Sequence, residues 1–495
     1  MINTRIRSFA FSGIEPVPVW VEVQVATGLP AFLIVGLPDK AVGEARERVR
    51  ASLASLGMAL PPKRILINLV PADLQKEGSH FDLPIALALL AAMNVIPGEE
   101  LGRYAAFGEL SLDGTINGVA NVISASVGAS ALELGLICPS SQAREAIFGG
   151  NRDILATPGM QAVISHFRGE QVLSPPAGAI CEADVQDAAA PDMADVRGME
   201  SARRAAEIAA AGGHSLLMCG PPGTGKSMLA ARIPGLLPDL SLRETLDVTR
   251  IYSAAGLLPS GLPVRRPPFR APHHSASQPA LIGGGARAKP GEVSLAHRGI
   301  LFLDELPEFS RQALEALRQP VETGEAVIAR AAAHVTYPAR FQLIAAMNPC
   351  RCGYLGDAAR ECRKAPRCGE DYLGKLSGPL LDRIDLQVSA EPLSPADILY
   401  APPSENSAAV AARVLEARTR QYHRNEGRRN AEAAPEACET TEDARKFLAD
   451  ISRKFRMSAR GFTRLLRVAR TIADLDSSDV IRPPHVLEAA AFRQR

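Results

Sequence analysis

The sequence predicts an α/β protein with a phosphate-binding core, a second α/β domain before this core and a helical domain after it. Three observations indicate this fold class. Short apolar segments alternate with amphipathic helical patterns in residues 1–170. A glycine loop, GPPGTGKS at residues 220–227, stands between an apolar strand pattern and a helix pattern. Beyond residue 401 the patterns are helical and rich in Arg.

Length and composition narrow the class of protein. With 495 residues the chain is too long for one ordinary domain, and we expect about two to four. A net charge of +1 indicates no particular partner. The N-terminus lacks the long apolar region of a secretory signal, and the longest apolar stretch, residues 85–96, is too short to span a bilayer. We therefore expect a cytoplasmic protein without a membrane partner.

The first 170 residues carry the pattern of one α/β domain. Residues 17–25 alternate between apolar and polar positions and predict a strand, and residues 32–37 and 65–69 predict further strands, the former buried. Residues 41–56 predict a helix with one charged face, and residues 83–93 predict an apolar helix. A linker should follow at residues 171–192, where Pro, Ala and Gly replace periodic apolar positions.

The glycine loop has the chemistry of a phosphate site. Glycines let backbone N–H groups turn toward an anion, and the following helix adds its positive N-terminus. Lys226 is predicted to reach the β and γ phosphates of ATP, and Ser227 to ligate Mg²⁺. A chance glycine turn is the alternative, and the motifs downstream argue against it. The predicted ATP-binding residues of the loop are Gly220, Pro221, Pro222, Gly223, Thr224, Gly225, Lys226 and Ser227.

Two carboxylates follow the apolar strand pattern of residues 300–303. Asp304 is predicted to hold Mg²⁺, directly or through water, as part of the same nucleotide site. Glu305 is predicted to orient and activate the water that attacks the γ phosphate. The alternative is an ordinary surface strand end, and the pairing with the glycine loop favours the catalytic interpretation.

Four of the eight cysteines lie close together in the sequence. Four thiolates in one loop could close a tetrahedral Zn²⁺ site, with Zn–S distances near ~2.3 Å. The spacing differs from the paired C-x₂-C of ordinary zinc ribbons, and four reduced, unligated thiols are the alternative. The cluster, with the other cysteines scattered, indicates a reducing compartment and not a disulfide framework. The predicted zinc ligands are Cys350, Cys352, Cys362 and Cys368.

The two carboxylates resemble the Walker B motif of ATPases, and Asn348 resembles a further motif of the AAA+ superfamily. Asn348 follows the apolar strand pattern of residues 341–347, a place that resembles sensor 1. In that superfamily, the sensor 1 side chain helps to position water at the γ phosphate. The resemblance therefore implies an ATPase core, which we expect to span residues 193–400 and to include the cysteine cluster.

Two arginines resemble AAA+ residues that act on the nucleotide. Arg383 resembles the arginine finger that a neighbouring subunit supplies; a solvated Arg paired with Asp382 or Asp385 is the alternative. Arg460 resembles the sensor 2 arginine of the helical lid, which we expect at residues 401–495. Arg464, one helical turn further on, is the alternative to Arg460.

The N-terminal domain resembles the proteolytic domain of Lon proteases in two stretches, residues 76–84 and 108–114. The chemistry of the protease does not carry over. His80 stands where Lon has its nucleophilic Ser, and the position of the Lys base falls near Ile123. A serine nucleophile needs a base to activate its hydroxyl. We therefore expect a Lon-like domain, residues 1–170, that is proteolytically inactive.

Two insertions resemble those of the magnesium-chelatase and MCM branch of AAA+ proteins. Residues 267–275 with 283–285 resemble the helix-2 insert, and residues 325–330 with 334–338 resemble the pre-sensor-1 hairpin. Together with the Lon-like domain, they make the chain resemble the YifB/ComM family of magnesium-chelatase-like ATPases over essentially its whole length.

That resemblance implies a function. The family is associated with a hexameric helicase that moves DNA branches during natural transformation. We therefore expect an ATP-hydrolysing homo-oligomeric ring, a hexamer, that acts on single-stranded, forked or branched DNA. The candidate pore contacts to DNA are Arg270, Lys289, Arg330 and His334.

Two other functions compete with a DNA motor. A chelatase-type ATPase would remodel a partner protein without nucleic acid, but the resembled chelatase subunits lack a Lon-like domain. A Lon-type ATP-dependent protease would need the base that this chain lacks.

Overall fold

Two separate sheets organise the chain, one of seven strands and one of five. The structure is a computed structural model that describes residues 2–174, 176, 191–258, 262–285, 288–329, 334–355, 362, 364–390 and 404–493. Arg330 and most of the expected linker at residues 171–192 lie outside the described residues. The mixed α/β class predicted from the sequence is confirmed.

The N-terminal sheet has the strand order β3-β4-β2-β1-β5-β8-β9, and β6 pairs with β7 apart from it. The strands β1 and β2 form a long antiparallel hairpin, whereas β5, β8 and β9 continue the sheet in parallel. The strands are β1 (Ile2–Ser12), β2 (Glu15–Ala26), β3 (Ala31–Val35), β4 (Arg64–Val70), β5 (Tyr104–Ala106), β6 (Glu109–Leu110), β7 (Ile116–Asn117), β8 (Gly135–Pro139) and β9 (Ile154–Thr157).

Helices cover the N-terminal sheet, and the apolar α2 lies at its centre. Every residue of α2 is buried, as expected for a helix that is apolar all round. The side chains of α1 and α2 pack with Val21 and Ile67 of the sheet. The helices are α1 (Lys40–Ser55), α2 (Asp82–Ala92), α3 (Gly98–Leu101), α4 (Val122–Ala131), α5 (Ala143–Phe148) and α6 (Met160–Phe167).

The strand β3 corrects one prediction. The apolar run at residues 32–37 is not a buried strand. β3 is the edge of the sheet and pairs with β4 alone. Leu33 and Val35 are each 42% exposed at this edge, whereas Phe32 is buried.

The second sheet is entirely parallel, with the order β11-β14-β17-β10-β18. The carboxyl ends of its strands therefore meet at one edge, where α/β sheets bind their ligands. Its strands are β10 (Leu216–Cys219), β11 (Phe269–Arg270), β14 (Ile300–Leu303), β17 (Gln342–Met347) and β18 (Leu386–Ser389). Its helices are α7 (Glu200–Gly212), α8 (Lys226–Ala230), α9 (Leu242–Ala255), α14 (Arg367–Leu373) and α15 (Gly378–Leu381).

Both predicted insertions contain a two-stranded ladder. β12 (Gly283–Gly284) pairs with β13 (Lys289–Pro290), and β15 (Glu325–Ala329) pairs antiparallel with β16 (His334–Pro338). The short helices around them are α10 (Gln278–Ile282), α11 (Glu292–Leu295), α12 (Arg311–Ala316) and α13 (Arg318–Thr323).

Four helices follow the second sheet and share its core. Leu465, Val468, Ala469 and Ile472 of α18 pack in the same buried cluster as α7 and β10. These helices are α16 (Ser407–Arg424), α17 (Glu442–Lys454), α18 (Ala459–Leu475) and α19 (Pro483–Ala491). Within the described ranges, no helix has both the length and the apolar character that crossing a membrane requires.

The N-terminal part and the part built on the parallel sheet contact each other through α9. Arg250 donates hydrogen bonds to the Ile14 carbonyl at 2.6 Å and to Ser124 Oγ at 3.1 Å. The same guanidinium lies 3.2 Å from a Glu15 carboxylate oxygen. The turn between β1 and β2 therefore anchors the N-terminal part to the core.

Candidate functional site

The glycine loop sits at the carboxyl end of β10, and its backbone requires glycine at three positions. Gly223 and Gly225 have φ values of 82° and 86°, in the left-handed region that other residues rarely adopt. A Cβ atom at Gly220 would lie 2.2 Å from the Ala390 carbonyl oxygen. The loop therefore holds a conformation that the sequence pattern demands, and α8 begins directly after it at Lys226.

The Lys226 ammonium group lies folded over this loop. Its Nζ donates to the carbonyl oxygens of Gly220 at 2.8 Å and Pro221 at 2.7 Å. Asn348 Oδ1 lies 3.5 Å from the same Nζ, so β17 brings the predicted sensor position next to the lysine. Burial lowers the pKa of Lys226, and the nearby Asp304 carboxylate opposes that shift. A phosphate oxygen could replace either carbonyl as the acceptor.

Ser227 and Asp304 come together although different strands position them. Ser227 Oγ donates to Asp304 Oδ2 at 2.6 Å. Neighbouring oxygen ligands of an octahedral Mg²⁺ lie about 3 Å apart, given metal–oxygen distances of about 2.1 Å. A hydroxyl and a carboxylate at this separation therefore fit the hard-oxygen coordination that Mg²⁺ prefers.

Glu305 has a partner that the sequence analysis did not identify. His274 Nδ1 lies 3.1 Å from Glu305 Oε2, and His274 belongs to the segment of the insert that follows β11. Glu305 itself has φ 50°, a left-handed conformation that is uncommon outside glycine. The adjacent histidines 273 and 274 were within a segment singled out by resemblance, but local spacing gave no sign of this contact.

The two predicted nucleotide arginines converge on one acid, Glu322 of α13. Arg383 forms an ion pair with Glu322 and donates to the Pro379 carbonyl at 2.7 Å. Arg460 Nη2 lies 3.9 Å from the other Glu322 oxygen. The Arg383 hydrogen bond holds the pKa of Glu322 below its usual range. The expected alternative, a pair of Arg383 with a neighbouring aspartate in the sequence, is not the arrangement found.

Arg464, the alternative to Arg460, lies inside the fold. Its Nε is 3.5 Å from Asp385 Oδ1. Asp385 also accepts a hydrogen bond from the Ser215 N–H at 3.1 Å, so it belongs to the packing between β10 and β18. Arg460 is 73% exposed and is the freer of the two side chains to approach a ligand.

Three of the four clustered cysteines form one close group after Asn348, and the exposed Cys352 lies beside it. Cys350 and Cys352 have their Sγ atoms 3.2 Å apart. The Sγ atoms of Cys350, Cys362 and Cys368 all lie within 4.8 Å of one another. The segment also contacts the glycine loop, because a Cβ at Gly353 would lie 2.6 Å from Pro222 Cδ.

The candidate DNA contacts differ in solvent exposure and in whether an acidic side chain pairs with them. Arg270 forms a two-point ion pair with Glu292, at 2.6 and 2.8 Å, so its guanidinium holds the insert together. Lys289 is exposed in β13, and His334 is exposed at the start of β16. Arg330 lies outside the described residues.

The Lon-like positions carry no serine–lysine pair. Ser79 Oγ donates to the Glu109 carboxylate, and within the described chain no lysine is hydrogen-bonded to it. His80 is buried, with Nε2 2.9 Å from the Phe9 carbonyl oxygen. Burial lowers the pKa of His80 to about 4, so its ring is neutral at physiological pH. Ile123 is buried in α4.

Three family models cover most of the chain. "Magnesium chelatase, subunit ChlI" matches residues 192–398, "Subunit ChlI of Mg-chelatase" matches residues 21–142, and "Magnesium chelatase, subunit ChlI C-terminal" matches residues 404–493. The core match begins before the glycine loop and includes Asp304, Glu305, Asn348 and Arg383.

Full-length relatives give the same assignment. The chain is 44% identical to the YifB protein of Escherichia coli K12, over 100% of this chain and 96% of that protein. It is 41% identical to "Competence protein ComM" of Haemophilus influenzae, over 99% of this chain and 97% of that protein. The magnesium-chelatase 38 kDa subunit of Rhodobacter capsulatus is 28% identical over 37% of this chain and 50% of its own length. The chain therefore belongs to the YifB/ComM family of magnesium-chelatase-like proteins.

Proposed function

We propose that the chain is an ATP-hydrolysing motor that works as a homo-oligomeric ring on DNA. One observation carries the ATPase part: Lys226, Ser227, Asp304, Glu305 and Asn348 meet at one edge of a parallel sheet. Such an edge combines phosphate binding, a divalent metal site and a carboxylate base. Membership of a chelatase-like AAA+ family supports the same activity.

Each residue has a role in this proposal. Lys226 exchanges the loop carbonyls for phosphate oxygens, and Ser227 and Asp304 hold Mg²⁺. When bound, Mg²⁺ neutralises charge on the phosphates. Glu305 accepts a proton from the attacking water once its carboxylate is free of His274. Asn348, beside the lysine, orients that water by hydrogen bonding.

Arg383 requires a neighbouring subunit. In the single chain it pairs with Glu322, and a finger residue would exchange this carboxylate for phosphates bound by the next protomer. Arg460, exposed beside the same acid, would act as the lid arginine. A closed ring, by family resemblance a hexamer, gives every subunit both residues.

DNA is the proposed substrate of the motor. The relative from Haemophilus influenzae is named a competence protein, which supports a competence-related role for this chain. We infer branch migration during natural transformation and recombination, in the cytoplasm. Lys289 and His334, together with Arg330, are the proposed pore contacts, because the first two are exposed in the insert and hairpin.

A labelled four-way DNA junction tests this function. With Mg²⁺ and ATP the protein should convert the junction into two forked products, and Lys226→Ala should not. A wild-type protein that hydrolyses ATP and leaves the junction intact would favour the other candidate, a chelatase-type remodeller of a protein partner. The matches to magnesium-chelatase subunits support that alternative.

We also propose that the four cysteines hold zinc. A tetrahedral site with Zn–S distances of about 2.3 Å places sulfurs about 3.8 Å apart. The Sγ atoms of Cys350, Cys362 and Cys368 lie within 4.8 Å of one another, within reach of one shared metal ion, and Cys352 Sγ lies 3.2 Å from that of Cys350. Zinc would fix the segment after Asn348 against Pro222 of the glycine loop, a structural role for the metal.

The N-terminal domain is proposed to be proteolytically silent. Ser79 faces the Glu109 carboxylate, and His80 is held neutral by burial. Purified protein with ATP should leave an unfolded casein substrate intact. Cleavage that disappears in Ser79→Ala would contradict the proposal. In the proposed arrangement, the inactive Lon-like domain spans residues 1–170, a linker follows at 171–192, the ATPase core spans 193–400 and the helical lid spans 401–495.

A further inference from the structure

One face of the N-terminal sheet is open at one end. In the β1–β2 hairpin, Arg5 lies opposite Glu22 and Arg7 lies opposite Trp20, on the face away from α1 and α2. Phe9 belongs to the same face but is buried, because α4 packs there. Beyond α4 the face reaches solvent, with Arg5 exposed and Arg7 and Trp20 half-buried.

Arg5, Arg7 and Trp20 form a cluster on this open face. The Arg7 Cζ atom lies 3.6 Å from the centre of the Trp20 ring, and the Arg5 Cζ atom lies 4.3 Å from it. Contact with the indole holds both guanidinium groups in place by a cation–π attraction. Two positive charges are thereby fixed beside a single aromatic ring.

Neither arginine forms an ion pair with a carboxylate within the part of the chain that the structure describes, although Glu22 lies opposite Arg5 in the hairpin. The nearest acid in register, Glu22, instead accepts a hydrogen bond from Asn68 at 3.0 Å. Partial burial and the Arg5 charge lower the pKa of Arg7. An anion at this cluster would relieve the repulsion between the two guanidinium groups.

We propose that Arg5, Arg7 and Trp20 form a binding surface for single-stranded DNA, separate from the ring's ATPase core. This inference rests on the proposed action on DNA. The guanidinium groups bind backbone phosphates, and a base that stacks with the half-exposed indole takes the place of one guanidinium group over the ring. Single-stranded DNA fits better than duplex DNA, because only unpaired bases offer a face to an aromatic ring on a flat sheet.

The wild-type protein contains its own probe, since Trp20 is the only tryptophan in the chain, 1 in 495 residues. We would titrate the protein with oligothymidylate and record tryptophan emission, with anisotropy of the labelled strand measured in parallel. The proposal expects emission to change along the same saturation curve as the anisotropy. DNA binding without any change in emission would overturn it and leave the proposed motor function standing. Absence of DNA binding would overturn both, and an equal emission response to duplex DNA would overturn the assignment to single strands.

A pair of charge-matched variants provides the second measurement. Arg5→Ala/Arg7→Ala removes the cluster, and Arg46→Ala/Arg50→Ala removes two exposed charges from α1 on the other side of the sheet. Each phosphate contact to a single strand contributes about 0.7 to the slope of log affinity against log salt. Loss of two phosphate contacts should therefore reduce the slope of the first variant by about 1.4, and the control variant should keep the wild-type slope. Both variants should hydrolyse ATP at the wild-type rate in the absence of DNA. An unchanged slope in the first variant contradicts the proposal.

Discussion

His274 Nδ1 lies 3.1 Å from Glu305 Oε2, so a residue of the insert contacts the carboxylate that we assign as the base. The contact joins the segment after β11 to the end of β14, two neighbouring strands of the parallel sheet. The contact occupies one of the two carboxylate oxygens that could accept a proton from water. Under the proposed function, the pair would give the insert a direct means to control ATP hydrolysis.

Removing this partner should release Glu305. We expect His274→Ala to raise the DNA-free rate of ATP hydrolysis by about 1.4- to 5-fold, the range that an exposed side-chain contact of about 0.2 to 1 kcal/mol allows. Phosphate release at saturating ATP measures it. His273→Ala is the control, because His273 Nδ1 contacts Ser275 Oγ and not Glu305. A rate that falls in His274→Ala would mean that the histidine orients the base instead of restraining it.

Local chemistry explains why much of this site was predictable. Glycines at positive φ and an apolar strand before them are properties of adjacent residues, and so is the Asp304–Glu305 pair at a strand end. The contacts of His274 with Glu305 and of Arg383 with Glu322 join distant parts of the chain. These two contacts depend on how the inserts pack against the core, and the spacing of residues in the sequence does not predict that packing.

The fold was predictable to the same extent. Strands with a clear apolar pattern, such as β4 and β14, were identified, whereas β1 was not. One face of β1 carries Ser8 among apolar residues, and the other carries Phe9 among arginines. The alternation of apolar and polar residues that predicts a strand is therefore hidden in β1. Residues 32–37 were assigned to the interior because apolar runs indicate burial in general, but position at a sheet edge depends on topology.

Zinc content tests the cysteine site. Freshly purified protein should contain one Zn²⁺ per chain by elemental analysis, because three sulfurs lie within 4.8 Å of one another and the fourth lies 3.2 Å from Cys350 Sγ. Cys362→Ser/Cys368→Ser should lose the metal. Cys138→Ala, which removes a buried thiol of the N-terminal sheet, should keep it. Less than about a tenth of an equivalent in the wild type would support free thiols, since structural zinc sites bind tightly.

Arg383→Ala tests the ring. The variant should bind ATP normally and hydrolyse it about 10³- to 10⁵-fold more slowly, the contribution of an arginine finger. Mixed with Lys226→Ala subunits, it should regain activity at interfaces that join an intact loop to an intact finger. Arg318→Ala, which removes a guanidinium paired with Glu315 on the chain's own surface, serves as control. Mixtures without any recovered activity would show that Arg383 acts within its own subunit.

His80 makes stability depend on pH. Burial lowers its pKa in the folded protein from 6.5 to about 4, so the unfolded chain takes up a proton between these values and the folded chain does not. The stabilisation is complete above pH 6.5 and is lost as pH falls toward 4, by up to about 3 kcal/mol. Thermal unfolding midpoints between pH 7.5 and 5 measure it. His80→Gln, which cannot titrate, should flatten the curve; an equally steep curve in this variant would assign the dependence to other groups.

The rate of ATP hydrolysis with and without a four-way DNA junction tests the central claim most directly. We expect the junction to raise the wild-type rate at saturating Mg²⁺ and ATP. Glu305→Gln should bind ATP and the junction but hydrolyse about 10²- to 10⁴-fold more slowly, the usual loss for a general base. A wild-type rate that is the same with and without DNA, or a wild-type rate in Glu305→Gln, would contradict the account.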